Sequence, residues 1–174
     1  AFRDFERAAH DEIAEGYRRF FTAVTDYAVE PLLDAAAVRA GRRVLDVATG
    51  PGLVAFRAAG RGAAAVTGVD LAPRMLELAA AQCPRVDFRQ ADAENLPLAD
   101  QSFDCVVSNF GLGHFPRPER ALSEFVRVLT PGGAVAVSWW DVPARHRVMG
   151  IFFDAMNEAG ATLPAELPTG PPMF

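Results

Sequence analysis

Apolar residues recur at steps of three and four along the start of the chain: Phe2, Phe5, Ala9, Ile13, Tyr17, Phe20 or Phe21, and Val24. That spacing predicts one face of an amphipathic helix. Glu30-Pro31 breaks it, and a short helix follows to about Arg39. After Gly41 the pattern changes. Short apolar, β-branched runs alternate with segments of helical period, predicting strands at 44–47, 64–70, 86–91, 102–110 and 134–140. The helices predicted between and after them cover 53–59, 73–82, 118–129 and 144–159. Such alternation predicts an α/β chain, with a parallel sheet covered on both faces. The end, 162–174, is rich in proline and predicts neither strand nor helix.

Chemistry enters first at Val44-Leu45-Asp46-Val47-Ala48-Thr49-Gly50-Pro51-Gly52. A strand runs into a glycine turn and a helix begins at once, so a ligand can approach the backbone near the positive end of that helix. Asp46 stands in an otherwise apolar strand. A buried carboxylate needs a partner, either a ligand donor or a backbone N–H. Two ligand classes compete for the turn. Gly50-x-Gly52-x-x-Ala55, with Asp70 downstream, satisfies the loose dinucleotide fingerprint. A pyrophosphate would be repelled by Asp46, however, whereas a ligand carrying an ammonium and a sulfonium would be welcomed. S-adenosylmethionine is such a ligand.

With these residues the chain resembles the class I S-adenosylmethionine-dependent methyltransferases, whose first motif reads acid-x-Gly-x-Gly-x-Gly. Ala48 stands in place of the first glycine, tightening the space under the methionine part of the cofactor, and Gly50 and Gly52 are the second and third. The resemblance continues in order to about Trp140 and is nearest to the branch that includes the ubiquinone and menaquinone biosynthesis enzymes. It implies that Asp70, ending the second strand, holds both ribose hydroxyls, with Leu71 beside it and Met75 near the adenosine. It implies that Asp92 and the Ala93 backbone grip adenine, and that Asn109-Phe110 lie under the transferable methyl. With Tyr17, Thr49 and the motif residues Asp46, Ala48, Gly50 and Gly52, these form the expected cofactor set.

The implied fold is Rossmann-like and doubly wound, with strand order 3-2-1-4-5. Three regions follow: an N-terminal helical lid at 1–40, the cofactor-binding domain at 41–160, and a tail at 161–174 leading to an absent part. The lid is expected to lay its Ile13–Tyr17–Phe20 stripe over the cofactor mouth. Family sheets end in an antiparallel hairpin beside strand five, and that hairpin is missing here. Strand five carries no charge or proline from Ala134 to Trp140 and would be an apolar edge. Cover is expected from residues beyond Phe174 or from a second copy in a homodimer.

Composition narrows the picture. At 174 residues, with 51% hydrophobic and 22% charged residues, the chain can build one proper core. A net charge of -5 argues against nucleic-acid binding. No apolar run is long enough for membrane insertion, and the expected location is cytoplasmic. All 17 basic residues are Arg, a mark of GC-rich, bacterial coding rather than of mechanism. Cys83 and Cys105 lack metal or redox spacing and read as packing residues, and no metal is expected.

The implied reaction is in-line methyl transfer to a small-molecule methyl acceptor, for which the protein positions the nucleophile and excludes water. A hydroxyl acceptor would need a base. His114, just past strand four, is the catalytic candidate; His146 and Asp141 are weaker ones, and His10 reads as surface. Tyr17, Phe20, Phe21, Phe110, Phe115, Trp139, Trp140, Phe152 and Phe153, as a set around one mouth, favour a flat, largely apolar or aromatic acceptor. Two other readings remain. One is a protein of the same fold that binds the cofactor for a non-methylating reaction or as an accessory subunit; the other is a nicotinamide-dependent oxidoreductase.

Overall fold

A computed structural model describes residues 2–141, Arg145, 147–160 and Gly170. The N-terminal part is a string of short helical pieces rather than one long helix. α1 (Phe2–Gly16) passes through a π turn (Tyr17–Phe21) into α2 (Thr22–Thr25), a 3-10 turn (Asp26–Ala28) and α3 (Val29–Ala35). Strands and helices then alternate: β1 (Arg43–Val47), α4 (Leu53–Gly60), β2 (Ala65–Asp70), α5 (Pro73–Gln82), β3 (Asp87–Gln90), β4 (Phe103–Asn109), α6 (Pro118–Val128), β5 (Leu129–Ser138) and α7 (Arg147–Glu158). Pro73 and Pro118 open their helices, where a missing N–H costs nothing.

The five strands form one sheet in the order β3-β2-β1-β4-β5, every neighbouring pair parallel. Alternate residues of β1 feed opposite layers. Val44 joins Val29, Leu33, Val54, Ala58 and Val107 on one face, while Leu45 and Val47 join Val69, Val106, Phe125 and Val128 on the other. Both cysteines are buried and unpaired, as packing residues should be. β5 begins earlier than its sequence pattern suggests. Phe103 pairs with Leu129 and Cys105 with Ala134, so five steps along β5 answer two along β4, and the Pro131-Gly132-Gly133 turn bulges out between them. β5 is the outer strand of the sheet, with Val137 exposed on it.

Two sets of ion pairs hold the N-terminal helices to this frame. Arg57 meets Asp26 and Glu30, and Arg61 meets Glu30 and Asp34, tying α3 to α4. At the other end the Arg74 N–H donates to Asp11 at 2.9 Å and its guanidinium meets Glu15 at 2.6 Å. α1 is thereby set on the start of α5, beside the carboxyl ends of β1 and β2. No helix among the described residues is long and apolar enough to cross a membrane.

Candidate functional site

A parallel sheet collects its strand ends and the loops after them on one side, and the main cleft lies there. It is an open cleft lined by α1, by the ends of β1, β2 and β4, and by the loops after them. Its floor is the turn after β1. Gly50 adopts φ +54°, and nothing lies within 4 Å of where its Cβ would be. Its N–H donates to Asp70 Oδ2 at 2.8 Å, and the Ala72 N–H donates to Asp70 Oδ1 at 3.0 Å. Each carboxylate oxygen therefore has one backbone donor and retains acceptor capacity toward the cleft. Burial raises the Asp70 carboxyl above its ordinary range, opposed by these N–H groups.

Of the residues expected from sequence, Tyr17, Ala48, Gly50, Asp70, Leu71, Met75, Asp92, Ala93, Asn109, Phe110 and His114 all line this cleft. Thr49 lines a smaller neighbouring cavity, which Tyr17, Ala48, Gly50 and Asn109 share. Asp46 and Gly52 line neither. Asp46 lies beneath the turn, fully buried, its Oδ2 accepting from the Thr49 hydroxyl at 2.6 Å and from the Ala55 N–H at 3.1 Å. Of its two anticipated partners, the structure supplies the backbone N–H. Burial pushes its carboxyl up to about 7, while the Thr49 and Ala55 bonds pull the other way. Gly52 is a packing glycine: at φ +88°, a Cβ there would come within 2.9 Å of Ala79 Cβ, so it lets α4 and α5 approach.

The opposite wall comes from the end of β4 and the loop after it, Asn109, Phe110, Gly111 and His114, with the end of β5 packed behind it. The Asn109 carboxamide is held on both sides, Nδ2 donating to the Thr25 carbonyl at 3.2 Å and Oδ1 accepting from the Ser138 hydroxyl at 2.6 Å. Phe110 follows at φ +57°, a left-handed conformation rare for a bulky residue. Its ring stacks on Trp140 at 4.0 Å between centroids, with Phe21 edge-on to the same indole at 6.0 Å. Trp139 lies over Gly113. Phe115 also reaches the cleft but is mostly core, and Phe20 is exposed. The Phe152 and Phe153 side chains, and His146, fall outside the described residues.

α1 meets the cleft with a different face from the one expected. Ile13 is 49% exposed and Phe20 68%, so the Ile13–Tyr17–Phe20 stripe does not turn inward; only Tyr17 does. The inward face is Arg3, Glu6, Arg7 and His10, with Ala14 buried below them. These positions repeat at the same helical period, but the apolar count drew attention to the other face. His10, read as surface, sits edge-on to His114 with ring centroids 4.8 Å apart. Arg3 reaches Asp92 at 3.0 Å and Glu94 at 3.2 Å. Asp141 lies outside the cleft lining and pairs with Arg145 at 3.5 Å.

Residues 45–137 match the family model described as a methyltransferase domain. The chain is 43% identical over 95 residues to a demethylmenaquinone methyltransferase of Chlorobaculum parvum, covering 55% of this chain and 39% of that one. Among solved structures, a putative methyltransferase from Bacillus halodurans superimposes with a TM-score of 0.62 at 31% identity, covering 75% of this chain and 58% of that one. The cyclase SpnF superimposes with a TM-score of 0.60 at 33% identity, covering 64% and 43%. The chain spans about half the length of the curated relatives it matches.

Proposed function

Because this chain belongs to the class I S-adenosylmethionine-dependent methyltransferases, we propose that its cleft binds S-adenosylmethionine and directs a methyl group onto a small, largely apolar or aromatic acceptor. The observation that carries the reading is the Gly50–Asp70 cradle: open space where a Cβ would stand, faced by a carboxylate held by two backbone N–H groups. A diol fits the free acceptor capacity of Asp70, and an uncharged turn with no side-chain bulk fits a methionine backbone. When bound, the cofactor supplies a methyl group on a sulfonium, a leaving group needing no further activation.

The chain's own task is then positioning. Asp70 fixes the ribose, Leu71 and Met75 pack the adenosine, and Asp92 with the Ala93 backbone take the adenine edge. Arg3 already meets Asp92, so adenine must share that carboxylate or move the guanidinium. Phe110, with Trp140 stacked on its ring, offers a flat apolar wall to an acceptor ring and helps exclude water. His114 reaches the cleft and is placed to take a proton from a hydroxyl acceptor.

The test is direct. Calorimetric titration should show one S-adenosylmethionine bound and no nicotinamide dinucleotide; the opposite result would restore the oxidoreductase reading. A cyclase among the structural neighbours keeps a non-methylating reaction in view. Turnover with demethylated quinols as trial acceptors, following S-adenosylhomocysteine, separates the two.

A further inference from the structure

Glu6, His10 and His114 form a cluster that cofactor binding does not require. Glu6 and His10 stand one turn apart on α1, and His114 ends the short turn Leu112–His114 after β4. One ligand atom from each lies within 4.8 Å of the others. Glu6 Oε2 is 2.7 Å from His114 Nδ1 and 3.6 Å from His10 Nδ1. All three line the same cleft as Gly50 and Asp70. Glu6 and His10 are largely shielded, with side chains 14% and 24% exposed, while His114 is 44% exposed.

We propose that these three side chains bind a divalent transition-metal cation of the zinc type at the acceptor end of the cleft. The donor set decides the class: two imidazoles and one carboxylate suit first-row transition ions, whereas magnesium and calcium favour all-oxygen shells. A carboxylate and an imidazole four residues apart on one helix face are preset for chelation. The third donor comes from another element, so the ion would fasten α1 to the β4 loop. The His10 ring is held in place by the Glu6 carbonyl, 2.8 Å from its Nδ1, an outer contact of the kind that orients ligating imidazoles. Three protein donors leave coordination positions for an acceptor oxygen.

The surrounding charges permit a cation. Arg3 and Arg7 stand on the same helix face, but Arg3 is paired with Asp92 and Glu94, and Arg7 meets Asp11 at 3.6 Å. Asp70 adds a carboxylate in the same cleft. With the ion bound, His114 is a ligand, and the ion in its place would act on an acceptor oxygen; that role rests on the methyl-transfer reading, and the binding does not.

The experiment titrates Co²⁺ and Zn²⁺ into the cofactor-free chain, following cobalt d–d absorption and calorimetric heat. One equivalent should bind with a Kd of about 10 μM or tighter, with an excess of Mg²⁺ failing to compete. Glu6→Gln, His10→Gln and His114→Gln should each weaken binding about tenfold or more, while circular dichroism shows the fold unchanged. A Kd weaker than about 1 mM overturns the proposal and leaves Glu6–His114 as a hydrogen-bonded pair alone. Affinity unchanged in the well-folded variants overturns it as well. Cobalt binding without S-adenosylmethionine binding would sink the cofactor reading and keep the metal site; the reverse pattern would do the opposite.

Discussion

The two walls of the cleft are built by different means. The wall at β1 and β2 is backbone: a turn with φ +54° at Gly50, and N–H groups of Gly50 and Ala72 converging on one carboxylate. Its parts lie within 23 residues of one another, from Gly50 to Ala72. The wall at β4, β5 and α1 is side chains brought from far apart: Glu6 meets His114 across 108 positions and Asn109 meets Thr25 across 84. A backbone wall tolerates little variation in shape and offers much the same chemistry to any ligand with the right outline. A side-chain wall can be rebuilt residue by residue. On the proposed reading, cofactor recognition falls to the first wall and acceptor choice to the second.

The strongest break should come from Gly50→Val. A branched side chain would enter the open space above the turn and would have to adopt a left-handed conformation that β-branched residues avoid. The expected outcome is no saturation with S-adenosylmethionine up to about 1 mM, the top of the usual range for substrate affinities, with helix content retained. Normal binding would show that the turn is not the cradle.

Asp70→Ala should follow. Removing the acceptor for two ribose hydroxyls costs about 2–4 kcal/mol of cofactor affinity. The Gly50 and Ala72 N–H groups lose their partner as well, so the melting temperature of the free chain should also fall. A change in affinity below about threefold by calorimetry would mean that the ribose is held elsewhere.

Under the same wall lies a pH dependence. Asp46 has its carboxyl raised by burial to about 7, well above the ordinary aspartate range. For such a group the folded state holds the proton more tightly than the unfolded chain, so its stabilisation is complete below about pH 4 and is lost as pH rises through 7. Asp70, raised in the same direction, adds to the slope. Between about pH 5 and pH 8 the Asp46 contribution should fall by about 2 kcal/mol, read as a drop in melting temperature. Asp46→Asn should remove most of that drop. An unchanged slope in the variant would show that the buried carboxylate is not its source.

The same division explains what could be read before the fold was known. The first wall was legible because strand period, glycine turn and acid are local signals, and the structure brings Gly50 and Asp70 together in the cleft; the strand order stands as the family resemblance implied. Asp46 was singled out correctly as a buried acid in need of a partner. Whether it turned up toward a ligand or down toward the Ala55 N–H depends on the pleat and on where α4 begins, which composition does not encode. The face of α1 was misread for a related reason. Apolar periodicity locates a core-facing stripe, but this helix turns a polar stripe toward the cleft and leaves Ile13 half exposed. The Glu6–His10–His114 cluster had only half a local signal, the four-residue spacing on α1.

On the side-chain wall, Trp140→Ala should act on the acceptor and leave the cofactor alone. The Phe110–Trp140 stack at 4.0 Å is worth about 1 kcal/mol beyond its buried area. Losing that backing frees the Phe110 ring, so acceptor KM should rise by up to about fivefold, the limit set by that energy, while S-adenosylmethionine affinity measured by calorimetry stays within about threefold. A larger loss of cofactor affinity would mean that the two walls are mechanically coupled through Phe110.

The smallest effect is the sharpest check on the backbone wall. Ala48 stands at φ +56°, where glycine would be free and alanine is strained by about 1 kcal/mol. Ala48→Gly relieves that strain but gives the unfolded chain more freedom to lose, about 0.5–1 kcal/mol. The two terms nearly cancel, so the melting temperature should shift by no more than a few degrees, about what 0.5 kcal/mol produces in a domain of this size. The Ala48 methyl lines the cleft and would lie 2.9 Å from a Cβ placed on Gly111, so removing it widens the gap between the two walls slightly. If recognition on the first wall rests on backbone groups, which this substitution leaves in place, cofactor affinity should change by less than about threefold, or less than about 0.7 kcal/mol. A change of tenfold in either direction would show that the methyl itself shapes the pocket, and the division between a backbone wall and a side-chain wall would have to be redrawn at Ala48.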